Sequence, residues 1–132
     1  MKIFLDANII FSACNNGSTI AEFLNNLYKK KYKLITCDYA VEEASRNLSA
    51  KRPDWLKNLP RILSKLESKP SRNMDIKVEL AEKDRIILTS AIYYKCEIMI
   101  TGDKRDFGHL YGKKISGTKI LSPSLAFTEL FD

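Results

Sequence analysis

Four carboxylates are spaced so that they can share one crevice. Asp6 directly follows the short apolar run Lys2-Ile3-Phe4-Leu5, and Asp103 follows Glu97-Ile98-Met99-Ile100-Thr101 across Gly102. If both runs are strands of an open parallel sheet, both side chains project beyond the strands' carboxyl ends, where such sheets bind ligands. Asp84 opens an apolar helical stretch, Asp84-Arg85-Ile86-Ile87-Leu88, that leads into the second of these runs. That places it at an edge of the sheet layer, although the helix dipole alone also favours an acid in a first turn. Helical periodicity separates Glu42 from Glu43. With Val41, Ala44 and Leu48 on one face, Glu42 points nearly opposite and faces water, whereas Glu43 lies on the flank and reaches a crevice beside the core.

Clustered carboxylates repel one another unless a cation sits among them. Hard oxygen donors select Mg²⁺ or Mn²⁺, and an ion so held lowers the pKa of water and neutralises a phosphoryl oxygen. Any one of these acids is as readily a cap, a turn or a solvated surface group; the arrangement of the four carries the reading. Asn8 either hydrogen-bonds Asp6 and fixes its rotamer or caps a helix. Arg85, Lys104 and Arg105 adjoin the acids in sequence and either contact a scissile phosphate or balance local charge. Two rival chemistries are disfavoured. A covalent aspartyl-phosphate mechanism typically needs a second Asp two residues after the first, where this chain has Asn8. A glycine-rich phosphate loop, as in NTPases, is absent.

The elements that position these groups follow from periodicity. Besides the two runs above, Lys33-Leu34-Ile35-Thr36 and Thr118-Lys119-Ile120-Leu121 read as strands buried on both faces. Between the first two strands, residues 18–31 carry Ile20, Phe23, Leu24 and Leu27 on one helical face and end in three lysines. Asp38 reads as the N-cap of a helix to about Leu48. Ser122 before Pro123 marks another helix start. Alternation of this kind predicts an α/β fold. The stretch from about 50 to 73 is rich in Lys, Arg, Pro and Ser. It reads as a basic helical insertion with a break at Pro60. Within it Lys57, Arg61 and Lys65 oppose Trp55, Leu59, Ile62 and Leu66, either as a track for an RNA backbone or as the solvated face of an amphipathic pair.

Composition bounds the rest. The 132 residues are 45% hydrophobic and 29% charged, which suits one globular domain spanning 1–132. No apolar run reaches the ~18 residues of a membrane span, and Asp6 interrupts the N-terminal run before it can serve as a signal-peptide core. Cys14, Cys37 and Cys96 are odd in number and lack metal-ligand spacing. They read as small packed hydrophobes in a reducing cytoplasm. A net charge of +6 favours polyanionic partners, and equally suits a soluble surface. His109, the lone histidine, reads as a surface or turn residue, and Tyr93 and Tyr94 as core or dimer contacts.

Taken in order, these motifs resemble a PIN-domain ribonuclease, the fold of VapC-type toxins in bacterial and archaeal toxin–antitoxin pairs. Leu5-Asp6-Ala7-Asn8-Ile9-Ile10 resembles the first motif of that family, and Glu43 and Asp84 match its second and third acidic positions. Thr101-Gly102-Asp103-Lys104-Arg105-Asp106-Phe107 resembles the fourth, with Thr101 as hydroxyl partner and Asp106 at an acid that only some members carry. The likeness runs from Lys2 to about Leu130. It implies a three-layer α/β/α sandwich with a central, mainly parallel sheet, and metal ligation by Asp6, Asp84 and Asp103, with Glu43 completing the cluster or orienting water. It also implies Mg²⁺- or Mn²⁺-dependent RNA hydrolysis to 5′-phosphate and 3′-hydroxyl ends, a homodimer and a cognate antitoxin. The alternative is a non-catalytic module of the same fold that binds RNA or protein; that reading expects a lost acidic residue, and all four are present.

Overall fold

The computed structural model describes residues 1–131. In chain order its elements are β1 (Lys2–Leu5), α1 (Ala7–Ala13), α2 (Thr19–Lys29), β2 (Lys33–Cys37) and α3 (Asp38–Lys51). There follow a 3₁₀ stretch (Pro53–Asn58), α4 (Leu59–Leu63), β3 (Glu67–Lys69), α5 (Glu82–Tyr93) and β4 (Ile98–Ile100). The chain closes with α6 (Lys104–Phe107), a 3₁₀ turn (Gly108–Leu110), β5 (Lys114–Ile115), β6 (Thr118–Leu121) and α7 (Pro123–Phe131). The strands form one sheet in the order β3-β2-β1-β4-β6-β5. All neighbours are parallel except β5, which pairs antiparallel with β6 at the edge.

The fold is the expected α/β sandwich with a mainly parallel sheet. Ile3, Phe4 and Leu5 of β1 and Ile98, Met99 and Ile100 of β4 are all buried. Consecutive residues point to opposite faces of a sheet, so both faces are covered. The chain steps from β1 outward through β2 to β3, then returns to the other side of β1 with β4. Strand order therefore reverses between β1 and β4, and the crevice beyond their carboxyl ends is a topological switch point.

Serine side chains cap two of the helix starts. Ser18 caps α2 by accepting the Ala21 N–H at 3.1 Å, and Phe23, Leu24 and Leu27 go into the core. Ser122 accepts the Leu125 N–H at 3.1 Å at the start of α7.

Three expectations need correction. Cys37, not Asp38, occupies the N-cap of α3; Asp38 sits in the first turn, where its carboxylate accepts the Ser71 N–H and hydroxyl. Pro60 does not break a helix but stands in the first turn of α4, where its missing N–H costs nothing. The segment 50–73 is also not purely helical. Glu67, Ser68 and Lys69 pair with Ile35, Thr36 and Cys37, extending the sheet by an edge strand. That strand has three residues and an exposed–exposed–intermediate burial pattern, so no apolar alternation announced it.

Trp55 is half-buried against Phe11, ring centroids 5.5 Å apart, with the Arg52 guanidinium 4.0 Å over its ring. Tyr94 packs on the core and donates its hydroxyl to the Pro70 carbonyl at 2.6 Å, whereas Tyr93 is exposed. The three cysteines are free and buried. Among the described residues no helix is long and apolar enough to cross a membrane.

Candidate active site

The switch-point crevice is built by β1, β4 and the N-terminal turn of α5. The chain leaves β1 at Asp6 with extended backbone and enters α1 at once. The Asp6 side chain caps that helix, accepting the Ala7 N–H at 2.6 Å through Oδ1. Its Oδ2 accepts the Thr101 hydroxyl at 2.8 Å and the Asn8 amide at 3.3 Å. Asp6 is thus the cap, and Asn8 sits inside the helix as its positioner. Asn8 also ties the two strand ends together, because its Oδ1 accepts the Gly102 N–H at 2.7 Å. A Cβ at Gly102 would lie 3.2 Å from that oxygen, so glycine permits the close approach. Thr101, fully buried at the end of β4, accepts the Asp103 N–H at 3.1 Å while donating to Asp6. One hydroxyl therefore couples two of the acids.

Asp84 enters from α5, which runs back along the sheet into β4 and so presents its N-terminus at the same edge. Asp84, Asp103 and Asp106 each offer a carboxylate oxygen within 4.8 Å of the other two. Asp103 caps the short α6 by accepting the Asp106 N–H at 3.0 Å, which turns Asp106 back toward the group. The tightest acidic trio therefore includes Asp106, which the sequence marks only as auxiliary. Asp6 stands beside that trio, close enough to raise the Asp84 pKa. Glu43 lies further to the side, partly buried on α3. It lines a groove of about 180 Å³ with Asn8, Phe11, Ser12, Asn47 and Lys51. Glu42 is exposed and pairs with Arg46 at 3.3 Å, as periodicity requires.

Electrostatics single this crevice out. Burial pushes the Asp6 carboxyl up to about 6 despite its hydrogen bonds from Thr101 and Ala7, with Glu43 and Asp103 adding repulsion. Burial, followed by the Asp106 charge, pushes Asp84 up to about 7. Asp84 Oδ2 is buried without a hydrogen-bond partner, alone among buried side-chain oxygens and nitrogens of the described residues. An orphaned oxygen on a carboxylate grouped with two other acids is costly in isolation, and it is what a hard divalent cation would satisfy. The donor set fits such an ion.

The basic residues take different places around the acids. Arg85 donates Nε–H to Asn73 at 3.0 Å and so is engaged by the connection before α5. Lys104 and Arg105 are exposed. The cation that faces the acids is Lys83, 3.9 Å from Asp106, with its pKa raised chiefly by Asp84 and also by Glu43, Asp106 and Asp103. Sequence reasoning passed over it; a lysine beside a first-turn acid was the available signal. Tyr111 was missed as well. Its hydroxyl donates to the Thr101 carbonyl at 2.8 Å, and burial plus the charges of Asp103 and Asp6 raise its pKa. His109 is exposed on the 3₁₀ turn.

No protein-family model and no curated protein matches the sequence. Solved structures do match. The complex VapBC2 of Rickettsia felis, bound to a DNA fragment from its promoter, aligns over 92% of this chain and 98% of its own, at 18% identity and a TM-score of 0.67. FitAB bound to an IR36 DNA fragment aligns over 92% and 94%, at 14% identity and 0.58. VapC20 of Mycobacterium tuberculosis, a sarcin–ricin loop cleaving toxin, aligns over 74% and 86%, at 10% identity and 0.53. The fold is that of the PIN-domain toxins. At such identities the likeness concerns the path of the chain, and the chemistry has to be argued from its own side chains.

Proposed function

We propose that this PIN-fold chain is a divalent-metal-dependent endoribonuclease and the toxin of a toxin–antitoxin pair. The observation that carries the reading is the unpartnered, buried Oδ2 of Asp84, whose carboxylate groups with those of Asp103 and Asp106 at a topological switch point. A structural carboxylate would have been given a partner; this one is kept desolvated and unpaired. Asp84, Asp103 and Asp106, with Asp6 beside them, would hold Mg²⁺ or Mn²⁺. Such an ion supplies positive charge for a phosphoryl oxygen and makes water acidic enough to be a nucleophile near neutral pH.

The side chains then divide the work. Thr101 and Asn8 fix the Asp6 carboxylate, so that its orientation survives loss of a ligand. Glu43, on the flank, orients the attacking water and accepts its proton. Lys83 meets the phosphate charge as the strand enters, with Arg105 and Lys104 on the exposed rim. Hydrolysis in this sense leaves a 5′-phosphate and a 3′-hydroxyl.

The wider reading follows from the same fold. VapBC2 and FitAB are two-component assemblies in the solved structures, which supports an antitoxin partner here. Self-association as a homodimer is supported by apolar surface on α7, where Phe127 is 55% and Leu125 44% exposed. Three buried thiols without a disulfide suit a reducing, cytoplasmic setting.

The test is incubation of purified protein with total RNA in EDTA, Mg²⁺ or Mn²⁺, beside Asp6→Asn and Asp84→Asn. Metal-dependent cleavage that vanishes in both variants is the expected result. Binding without cleavage in any metal would favour the non-catalytic module.

A further inference from the structure

A second charged feature lies at the other end of α1 from the acids. The loop after α1, together with α2 and α4, encloses a cleft of about 290 Å³ lined by Asn16, Glu22, Asn25, Arg61 and Lys65. At ~30 Å³ per water it has room for a phosphodiester group with its neighbours. The Arg61 guanidinium donates to the Asn16 amide oxygen, and the Lys65 ammonium to that of Asn25. Neither cation is ion-paired among the described residues, although Glu22 lines the same cleft. Burial, together with the charges of Arg61 and Lys29, depresses the Lys65 pKa. Two cations, Arg61 and Lys65, thus line a concave site with no carboxylate in ion-pair contact with either, an arrangement that an incoming anion relieves. Lys57, the remaining member of the basic stripe, does not line it.

The surface between the two sites suits one ligand class. Asn8, Phe11 and Ser12 share the partly exposed face of α1 and form a groove with Asn47 and Lys51 of α3. Phe11 packs at a tilt of 58° against Trp55, which carries the Arg52 guanidinium over its ring. Aromatic rings interleaved with cations are the signature of single-stranded nucleic acid binding. An acidic peptide needs the cations but not the rings. Seven helical residues span about 10 Å, roughly three stacked nucleotides at about 3.4 Å each.

We propose that the α2–α4 cleft is a phosphate-binding subsite which grips the backbone of single-stranded RNA a few nucleotides from the scissile bond. The placement of the strand across the acids rests on the nuclease reading. Affinity and salt dependence should be measured for a labelled 20-nucleotide single-stranded RNA in EDTA, with wild type and the Arg61→Gln/Lys65→Gln double variant. Losing two phosphate contacts at ~0.7 each flattens the log–log salt slope by about 1.4 and weakens binding about 25-fold near 0.1 M salt. Arg61→Lys/Lys65→Arg restores both, which a misfolded variant could not mimic. Hydrolysis of bis(p-nitrophenyl) phosphate, too short to reach the cleft, stays within twofold of wild type.

An unchanged RNA affinity and slope overturns the proposal while leaving the nuclease reading intact; capture of poly-glutamate in place of RNA overturns it too, assigning the cleft to an acidic protein. If wild type cleaves nothing yet the double variant still loses slope and affinity, the subsite stands and the nuclease reading falls.

Discussion

Asp6 and Asp38 begin as equivalents. Each directly follows a central parallel strand, at the start of the next helix. Their environments then diverge. Asp38 is exposed, and the Ser71 hydroxyl and N–H hold its carboxyl below the usual range. Its work is structural, fastening the segment after β3 to the head of α3. Asp6 is buried, shares its crevice with Asp84, Asp103 and Asp106, and is pushed upward instead. The difference teaches that a carboxylate at a strand end is not itself a site. What distinguishes the site is desolvated negative charge left without enough partners, a cost that folding alone does not explain.

The sharpest way to break the comparison is to neutralise each acid in turn and measure RNA cleavage in Mn²⁺. Asp84→Asn or Asp6→Asn is expected to lower the rate by two to three orders of magnitude or more, the scale of losing a preorganised electrostatic group. Asp38→Asn should stay within about threefold. Equal losses at Asp38 and Asp84 would dissolve the distinction drawn above.

Stability should move in the opposite direction. The folded pKa values of Asp6 and Asp84, about 6 and about 7, lie above the ordinary 3.8. Between about pH 4 and 7 the folded chain therefore holds protons that the unfolded chain has released. Metal-free stability accordingly falls as pH rises through that window. Both acids therefore make the metal-free fold less stable at pH 7.5 than at pH 5. Thermal melts in EDTA should show a lower midpoint at pH 7.5 than at pH 5, with Mn²⁺ restoring it at the higher pH. Asp84→Asn should raise the metal-free midpoint at pH 7.5, because an amide can donate to the neighbouring acids. Asp38→Asn should lower it slightly, its depressed pKa contributing stability above about pH 4 that is lost in acid. A melt that is flat between pH 5 and 7.5 for the wild type would contradict this account.

Thr101→Val tests the coupling between the acids. It keeps the shape but removes the donor to Asp6 Oδ2 and the acceptor for the Asp103 N–H. Losses of 10- to 100-fold in Mn²⁺ affinity or cleavage are expected for a positioning group of this kind. A rise in the Mn²⁺ concentration needed for half-maximal rate would separate this role from simple unfolding.

The extent to which sequence carried these results differs by element. β1, β2, β4 and β6 were legible because strands buried on both faces carry consecutive apolar residues, and α2 because its apolar residues share one face at helical period. β3 and β5 were not, being edge strands of three and two residues whose side chains are largely in water. Asp6, Asp84 and Asp103 were legible because each abuts an element end that the apolar pattern already located. Asp106 and Lys83 were harder. Asp106 is brought round only by the Asp103 cap, and Lys83 by the direction in which α5 begins. Both depend on local turns that leave no periodic trace. Arg85 shows the converse, a basic neighbour in sequence that space gives to Asn73.

Lys83 supplies the smallest and most discriminating test. It is the cation nearest the acidic trio, yet it is exposed and its approach to Asp106 is long at 3.9 Å. Exposed pairs of this kind contribute roughly 0–1 kcal/mol to stability, so Lys83→Met should leave the thermal midpoint in Mn²⁺ nearly unchanged. If Lys83 instead meets the RNA phosphate, its loss should raise KM by about three- to tenfold and leave kcat within twofold. The salt dependence of kcat/KM should flatten by about 0.7, one phosphate contact on a single strand. A change in kcat alone would mean that the lysine acts on the acids and not on the substrate. That outcome would move it from the rim of the crevice into its charge balance, with Asp84 as the partner that its raised pKa already names first.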